Sequence, residues 1–206
     1  PEQHWMRIVG RIAFPLFAYC IAEGYRYTRH RLRYFLQIFL LGIGCQIAYY
    51  IAERDWYLRI LLTFSLSILL MELARRWRLA MQTEDEKAAW LSGIALFAAI
   101  LAVWGFTTVV TVDYGFVGIL LPFLAYLPEK VGLRKGLFIA GIFALALDQY
   151  LPGGYTGQFF GLLAVPFLSA YNGRPGRHRM KWFFYIFYPA HLALLYGIAA
   201  LRTLFF

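Results

Sequence analysis

The chain is 206 residues long, 61% hydrophobic and 15% charged, with a formal net charge of +9, whereas soluble chains average roughly 45–50% apolar and 25% charged. Its charges are gathered between long apolar runs rather than scattered, which excludes a soluble basic protein and leaves no reason to expect a nucleic-acid partner. Cys20 and Cys45 both lie inside apolar runs, without a disulfide framework or a metal-ligand spacing, so no metal is expected.

With about 20 residues allowed per crossing, eight apolar segments follow one another: 8–25, 34–52, 56–74, 88–107, 114–128, 136–151, 156–171 and 182–204. Fifteen of the 20 Lys and Arg residues fall in four clusters, at 26–33, 75–87, 130–135 and 174–181. Two segments separate each cluster from the next, so all four clusters reach the same side of a bilayer. That is the positive-inside pattern. The tryptophans agree: Trp77, Trp90 and Trp182 stand at the basic ends of segments, and Trp5, Trp56 and Trp104 at the opposite ends. Aromatic belts at both rims predict that split.

The expected fold is therefore all-α: a polytopic helical bundle of about eight transmembrane helices, forming one domain over residues 1–206. The longest polar loop is expected at 75–87. The expected setting is a membrane, crossed many times with the basic loops on the cytoplasmic side and lipid as a standing partner. The fifth, sixth and seventh segments are short, as tilted, re-entrant or cavity-lining helices are. Eight crossings with a very short outer N-terminus, in a chain that starts at Pro1, predict a further helix before it.

Ionisable groups at membrane depth are candidate functional residues. His191 lies about nine residues into the last segment, or roughly 14 Å at 1.5 Å per residue, near the midplane. Tyr188 stands three residues before it on the same helix face. Pro189 removes a donor and frees the carbonyl near Tyr185. Arg11 and Glu23 both belong to the first segment, twelve residues or roughly 18 Å apart, so each needs its own partner. Arg11 lies near the outer rim and Glu23 near the inner one. Asp113 precedes Tyr114 and Gly115 on the outer side, where a carboxylate suits the start of the fifth helix. Asp148 and Glu72, near segment ends, read as structural. Arg26, Arg29, Asn172, Arg174, Arg177 and Lys181 form a basic rim suited to phosphate. No Walker-type or dinucleotide glycine motif is present, so nucleotide hydrolysis has no support.

Several of these stretches carry a resemblance. Gly10-Arg11-Ile12-Ala13-Phe14-Pro15-Leu16-Phe17-Ala18 and Ala22-Glu23-Gly24-Tyr25-Arg26-Tyr27-Thr28-Arg29 resemble the opening of the TraX family. Asp113-Tyr114-Gly115, Tyr171-Asn172-Gly173 and Lys181-Trp182-Phe183-Phe184-Tyr185-Ile186-Phe187-Tyr188-Pro189-Ala190-His191-Leu192 resemble its later motifs. That family is named for a conjugative-pilus protein that acetylates the N-terminal amine of pilin in the bacterial inner membrane. It is similar to transmembrane acyltransferases that draw acetyl groups from coenzyme A.

The resemblance implies acetyl-CoA as co-substrate and no metal, with an amine or hydroxyl acceptor on a protein, glycan or small molecule. On that reading His191 is the base, Tyr185 and Tyr188 orient the acceptor or steady the oxyanion, and Glu23 and Arg11 assist. The basic rim holds the phosphates of acetyl-CoA, and Asp113 and Tyr114 line the acceptor side. The family also has an earlier helix with an Asp-His pair, and Asn near the start of its third span, where Leu58-Arg59-Ile60 stands here. A proton-coupled transporter is the competing class, since mid-membrane His, Glu and Arg suit it too, although no internal repeat is visible. A non-enzymatic membrane scaffold is the third.

Overall fold

The computed structural model describes residues 4–54, 56–172 and 190, and the helices below belong to one unit, Pro1–Asn172. Helix α1 (His4–Tyr27) buries Phe14, Ala18, Ala22 and Tyr25. Spacings of four, four and three place these side chains on one face. Helix α2 spans Arg31–Glu53, α3 Ile60–Gln82 and α4 Glu86–Val109. Helix α5 (Gly115–Tyr126) is short and α6 covers Val131–Gly153. A 3-10 segment, Thr156–Ala164, runs directly into α7, Val165–Ala170.

Among the described residues the fold is all-helical, with one isolated bridge between Leu58 and Val112. The core forms around α5, where Gly118, Ile119, Leu121, Pro122, Phe123, Ala125 and Tyr126 are all buried. Helices α1, α3 and α6 pack against it. From α3 come Phe64, Ile68 and Met71, and from α6 come Phe138, Ile142 and Leu145. Gly141 makes the α5–α6 approach possible, because a Cβ there would stand 2.8 Å from Leu121 Cδ1. Helices α2 and α4 lie outside this core, each against α3.

These two outer helices are the described ones long and apolar enough to cross a membrane. Of their apolar stretches only 17% and 6%, respectively, is buried in the protein. The core helix of a soluble protein is mostly buried, and α4 is not. It also lies mid-chain, which separates it from an N-terminal signal segment. Trp90, Leu91, Ile94, Phe97, Leu101 and Trp104 all stand exposed along it. An apolar face of that extent needs lipid or a partner as its surroundings, so the chain has the character of a membrane protein.

Six of the eight expected segments coincide with described helices within a few residues. The third is displaced. Sequence predicted 56–74 and a polar loop at 75–87, but α3 runs from Ile60 to Gln82 and carries the basic cluster as helix. Arg75 and Arg76 reach back to Glu72 across one turn, with Arg75 Nη2 2.6 Å and Arg76 Nε 3.0 Å from Oε1. Such pairs three and four residues apart extend a helix past its apolar portion. At the front, residues 56–59 are extended instead. The last segment, 182–204, lies outside the described residues except for Ala190.

Candidate functional site

Helix α1 presents ionisable groups at both ends, and each finds partners on other elements. At the first end, Pro15 has no N–H to offer the carbonyl of Arg11. Gly161 of the 3-10 segment closes on that place: a Cβ there would be 3.4 Å from Arg11 O and 3.6 Å from Pro15 Cγ. This approach brings two side chains of the 3-10 region to Arg11. Arg11 Nη1 donates to Gln158 Oε1 at 2.9 Å, and Nη2 donates to the Tyr155 hydroxyl at 3.2 Å. The guanidinium also sits 5.2 Å from the Tyr155 ring centroid and 5.5 Å from that of Tyr114.

Tyr114 is held in the left-handed region, with φ of 62°, and Gly115 follows at 59°. For a residue with a Cβ this conformation costs about 1–3 kcal/mol and persists where the surroundings impose it. Here the Tyr114 ring stacks on Phe14, with centroids 3.6 Å apart and planes 9° from parallel. A Cβ on Gly118 would meet Tyr114 Cβ at 2.4 Å, so the turn depends on glycine at that position.

Asp113 joins two extended stretches. Its N–H donates to Leu58 O at 2.8 Å, and Leu58 N–H donates to Thr111 O at 3.0 Å. Thr63 Oγ1 donates to Asp113 O at 3.2 Å, while the Tyr57 hydroxyl donates to Asp113 Oδ1 at 3.1 Å. The backbone N–H of Ile60 also serves this carboxylate. Burial pushes the Asp113 carboxyl above the ordinary range, with the Tyr57 bond and the Arg59 charge pulling the other way. A role at the start of α5 was expected of Asp113, but the residue capping that helix is Tyr114, with no side-chain cap. Asp113 instead serves the first turn of α3, because the bridge at Leu58 lays the two loops side by side. Arg59 pairs with Glu53 at 2.6 Å and lies 4.2 Å from the Tyr49 ring centroid.

At the second end, Glu23 is buried beside an equally buried Arg134, whose Nη1 is 2.6 Å from Glu23 Oε1. The Tyr171 hydroxyl donates to Glu23 Oε2 at 3.3 Å. Arg26 Nε stands 3.6 Å from Glu23, and Arg26 Nη2 donates to the carbonyls of Ala125, Tyr126 and Pro128. Arg78 Nη2 donates to Leu127 O at 2.6 Å. Together these two arginines engage carbonyls at the C-terminus of α5, Ala125 and Tyr126, and just beyond it, Leu127 and Pro128. Lys135 Nζ donates to Ser169 O and Tyr171 O, closing α6 onto the end of α7. Nearby a pocket of about 480 Å³ is lined by His30, Arg31, Arg33 and Gln37 with Leu32, Leu36 and Leu40.

A family model described as TraX protein matches residues 1–199. The chain belongs to the TraX family. A protein named Protein TraX from Escherichia coli is 29% identical over 211 residues, covering 97% of this chain and 78% of that protein. A second Protein TraX, from Escherichia coli strain K12, is 28% identical with the same coverage. A probable fimbrial assembly protein FimC, serogroup H1, from Dichelobacter nodosus is 28% identical, covering 92% of this chain and 81% of its own length. No solved structure matches.

In this TraX-family chain, the expected site residues divide between the two ends. Arg11 and Tyr114 meet at the first, with Asp113 adjoining in sequence. Glu23 and Arg26 meet at the second, where Arg29 and Asn172 stand exposed. His191, Tyr188, Tyr185, Arg174, Arg177 and Lys181 lie outside the described residues. Sequence reading did not find Gln158, Tyr155 or Arg134 as partners. Arg134 was visible only as one charge of a topology cluster. Gln158 gave a weak signal, an amide inside an apolar segment, and its partner 147 positions away could not be read from spacing.

Proposed function

We propose that this TraX-family protein is a multi-pass membrane acetyltransferase, with about eight crossings and its basic rim in the cytoplasm of a bacterial cell. It would move an acetyl group from acetyl-CoA to an amine or hydroxyl acceptor, in the setting of fimbrial assembly that one relative's name indicates. The observation that carries the reading is the family match over residues 1–199, which spans both polar ends of α1 and the His191 motif.

Arg29 and the pocket at His30, Arg31 and Arg33 offer charge and donors for the phosphates of acetyl-CoA, with Arg174, Arg177 and Lys181 as further cations from sequence. Arg26 contributes differently from expectation: its guanidinium engages three carbonyls and Glu23, so its role is to hold the end of α5 beside that rim. Asp113 and Tyr114 build the wall at the first end of α1. His191 is assigned the acceptor's proton, since an imidazole with a pKa of about 6.5 suits a base near neutrality. As the acceptor attacks, a bond forms to the acetyl carbon, the C–S bond breaks, and the departing coenzyme A thiolate takes the proton that His191 accepted to leave as the thiol. Tyr185 and Tyr188 are assigned to orienting the acceptor and steadying the oxyanion.

Purified protein incubated with labelled acetyl-CoA should bind it and release free thiol. His191→Ala should abolish turnover while leaving binding and the thermal melt unchanged. Absence of binding at saturating acetyl-CoA would remove the enzyme reading. A solute flux into liposomes without thioester cleavage would replace it with transport.

A further inference from the structure

Gln158 is fully buried, its Oε1 accepts from Arg11, and its Nε2 has no hydrogen-bond partner. Turning the amide over does not cure this, because Nε2 would then face the N–H groups of Arg11, donor against donor. A buried amide N–H left without an acceptor costs about 1–3 kcal/mol. No carboxylate among the described residues lies within ion-pair distance of Arg11. The Tyr155 hydroxyl accepts from Arg11 and keeps its own proton to donate. Arg11 and Tyr155 thus stand around a buried amide whose own N–H groups have no acceptor.

We propose that Arg11, Gln158 and Tyr155 form a binding site for a carboxylate group. Guanidinium and carboxamide side by side suit two oxygens of one planar group. A single positive charge at a half-buried place favours a monoanion over a phosphate dianion, the more so with Asp113 within electrostatic reach. Entry follows from the burial order. Gln158 is the floor, Arg11 is half-buried, and Tyr155 stands 39% exposed as a lid. The lid has a seat of its own: a Cβ on Gly157 would fall 2.4 Å from the Tyr155 hydroxyl, so only glycine lets that hydroxyl settle there. Joined to the acetyl-transfer reading, the site makes the acceptor a carboxylate-bearing molecule. The binding itself stands whether or not acetyl transfer occurs.

The test is a thermal melt of the full chain in detergent, titrated with propionate, with propionamide of the same shape, and with inorganic phosphate, at constant ionic strength. Propionate should raise the melting midpoint saturably, propionamide and phosphate should not, and Gln158→Leu should erase the response. Gly157→Ala, which displaces only the end of a flexible side chain, should keep the fold while shifting the propionate midpoint several-fold. Should Gln158→Leu fail to fold, Tyr155→Phe must show a weakened propionate response. Equal responses to propionate and propionamide would overturn the proposal, pointing to an amide satisfied by water alone. A stronger response to phosphate, or an unchanged response in Gln158→Leu, would overturn it as well.

Discussion

Glu23 and Arg134 illustrate how a charge is tolerated inside this protein. Each is at least nine-tenths buried, and they meet at 2.6 Å. Two ions taken out of water stay ionised only with good geometry, and removing one partner costs about 3–5 kcal/mol because the other is left uncompensated. Tyr171 supplies Glu23 with a further donor, and the carbonyl of Glu129 accepts from Arg134 Nη2 at 3.2 Å. We expect Glu23→Gln and Arg134→Met each to lower unfolding free energy by about that amount. The double variant should lose less than the sum of the two, since neither charge then remains alone. Denaturant titration in mixed micelles measures all three. Strictly additive losses would mean that the pair contributes nothing as a pair.

At the level of elements, the helices were legible wherever an apolar run was long and its ends were marked. Asp85 accepts from Ala88 N–H as the α4 cap, and basic residues follow α1 directly. Legibility failed where tertiary contact overrode composition. Charged residues after position 74 look like loop, yet Glu72 pairing carries α3 onward to Gln82. Asp113 looks like a cap for the helix that follows, yet it serves one that starts 53 positions earlier, through a two-residue bridge no periodicity reveals. Arg11 and Glu23 were legible as groups that each need a partner, but the partners were not, because Arg11–Gln158 and Glu23–Arg134 join positions more than 100 apart. Helix α4 gives this level its prediction. Ala98 lies near its middle and is exposed, so Ala98→Arg deletes no packing and adds a charge. If lipid surrounds that face, membrane insertion should become less favourable by about 2.5–3.5 kcal/mol, read as a fall in the integrated fraction in an insertion assay. Undiminished insertion would place that face in water.

For the molecule as a whole, the orientation of α4 ties the charge pattern to the fold. Its 24 residues extend roughly 36 Å at 1.5 Å per residue, enough for a hydrocarbon core of about 30 Å. The helix begins beside the cluster of Arg75, Arg76, Arg78 and Lys87, and it ends at the uncharged stretch Val110, Thr111 and Val112. The end of α4 at Thr111 adjoins Asp113 and Tyr114, hence the Arg11 end of α1, whereas Arg26 and Arg134 share the basic side through Glu23. If α4 crosses a membrane, its orientation decides which compartment each end of α1 addresses. With Cys20 and Cys45 changed to alanine, Gln82→Cys should react with a membrane-impermeant maleimide only from the cytoplasmic side, and Thr111→Cys only from the opposite side. Both positions are exposed, so reagent access is not limiting. Labelling of both from one side would show that α4 does not cross. The Arg11 end and the basic rim would then open to a single compartment, and acetyl transfer between compartments would lose its geometry.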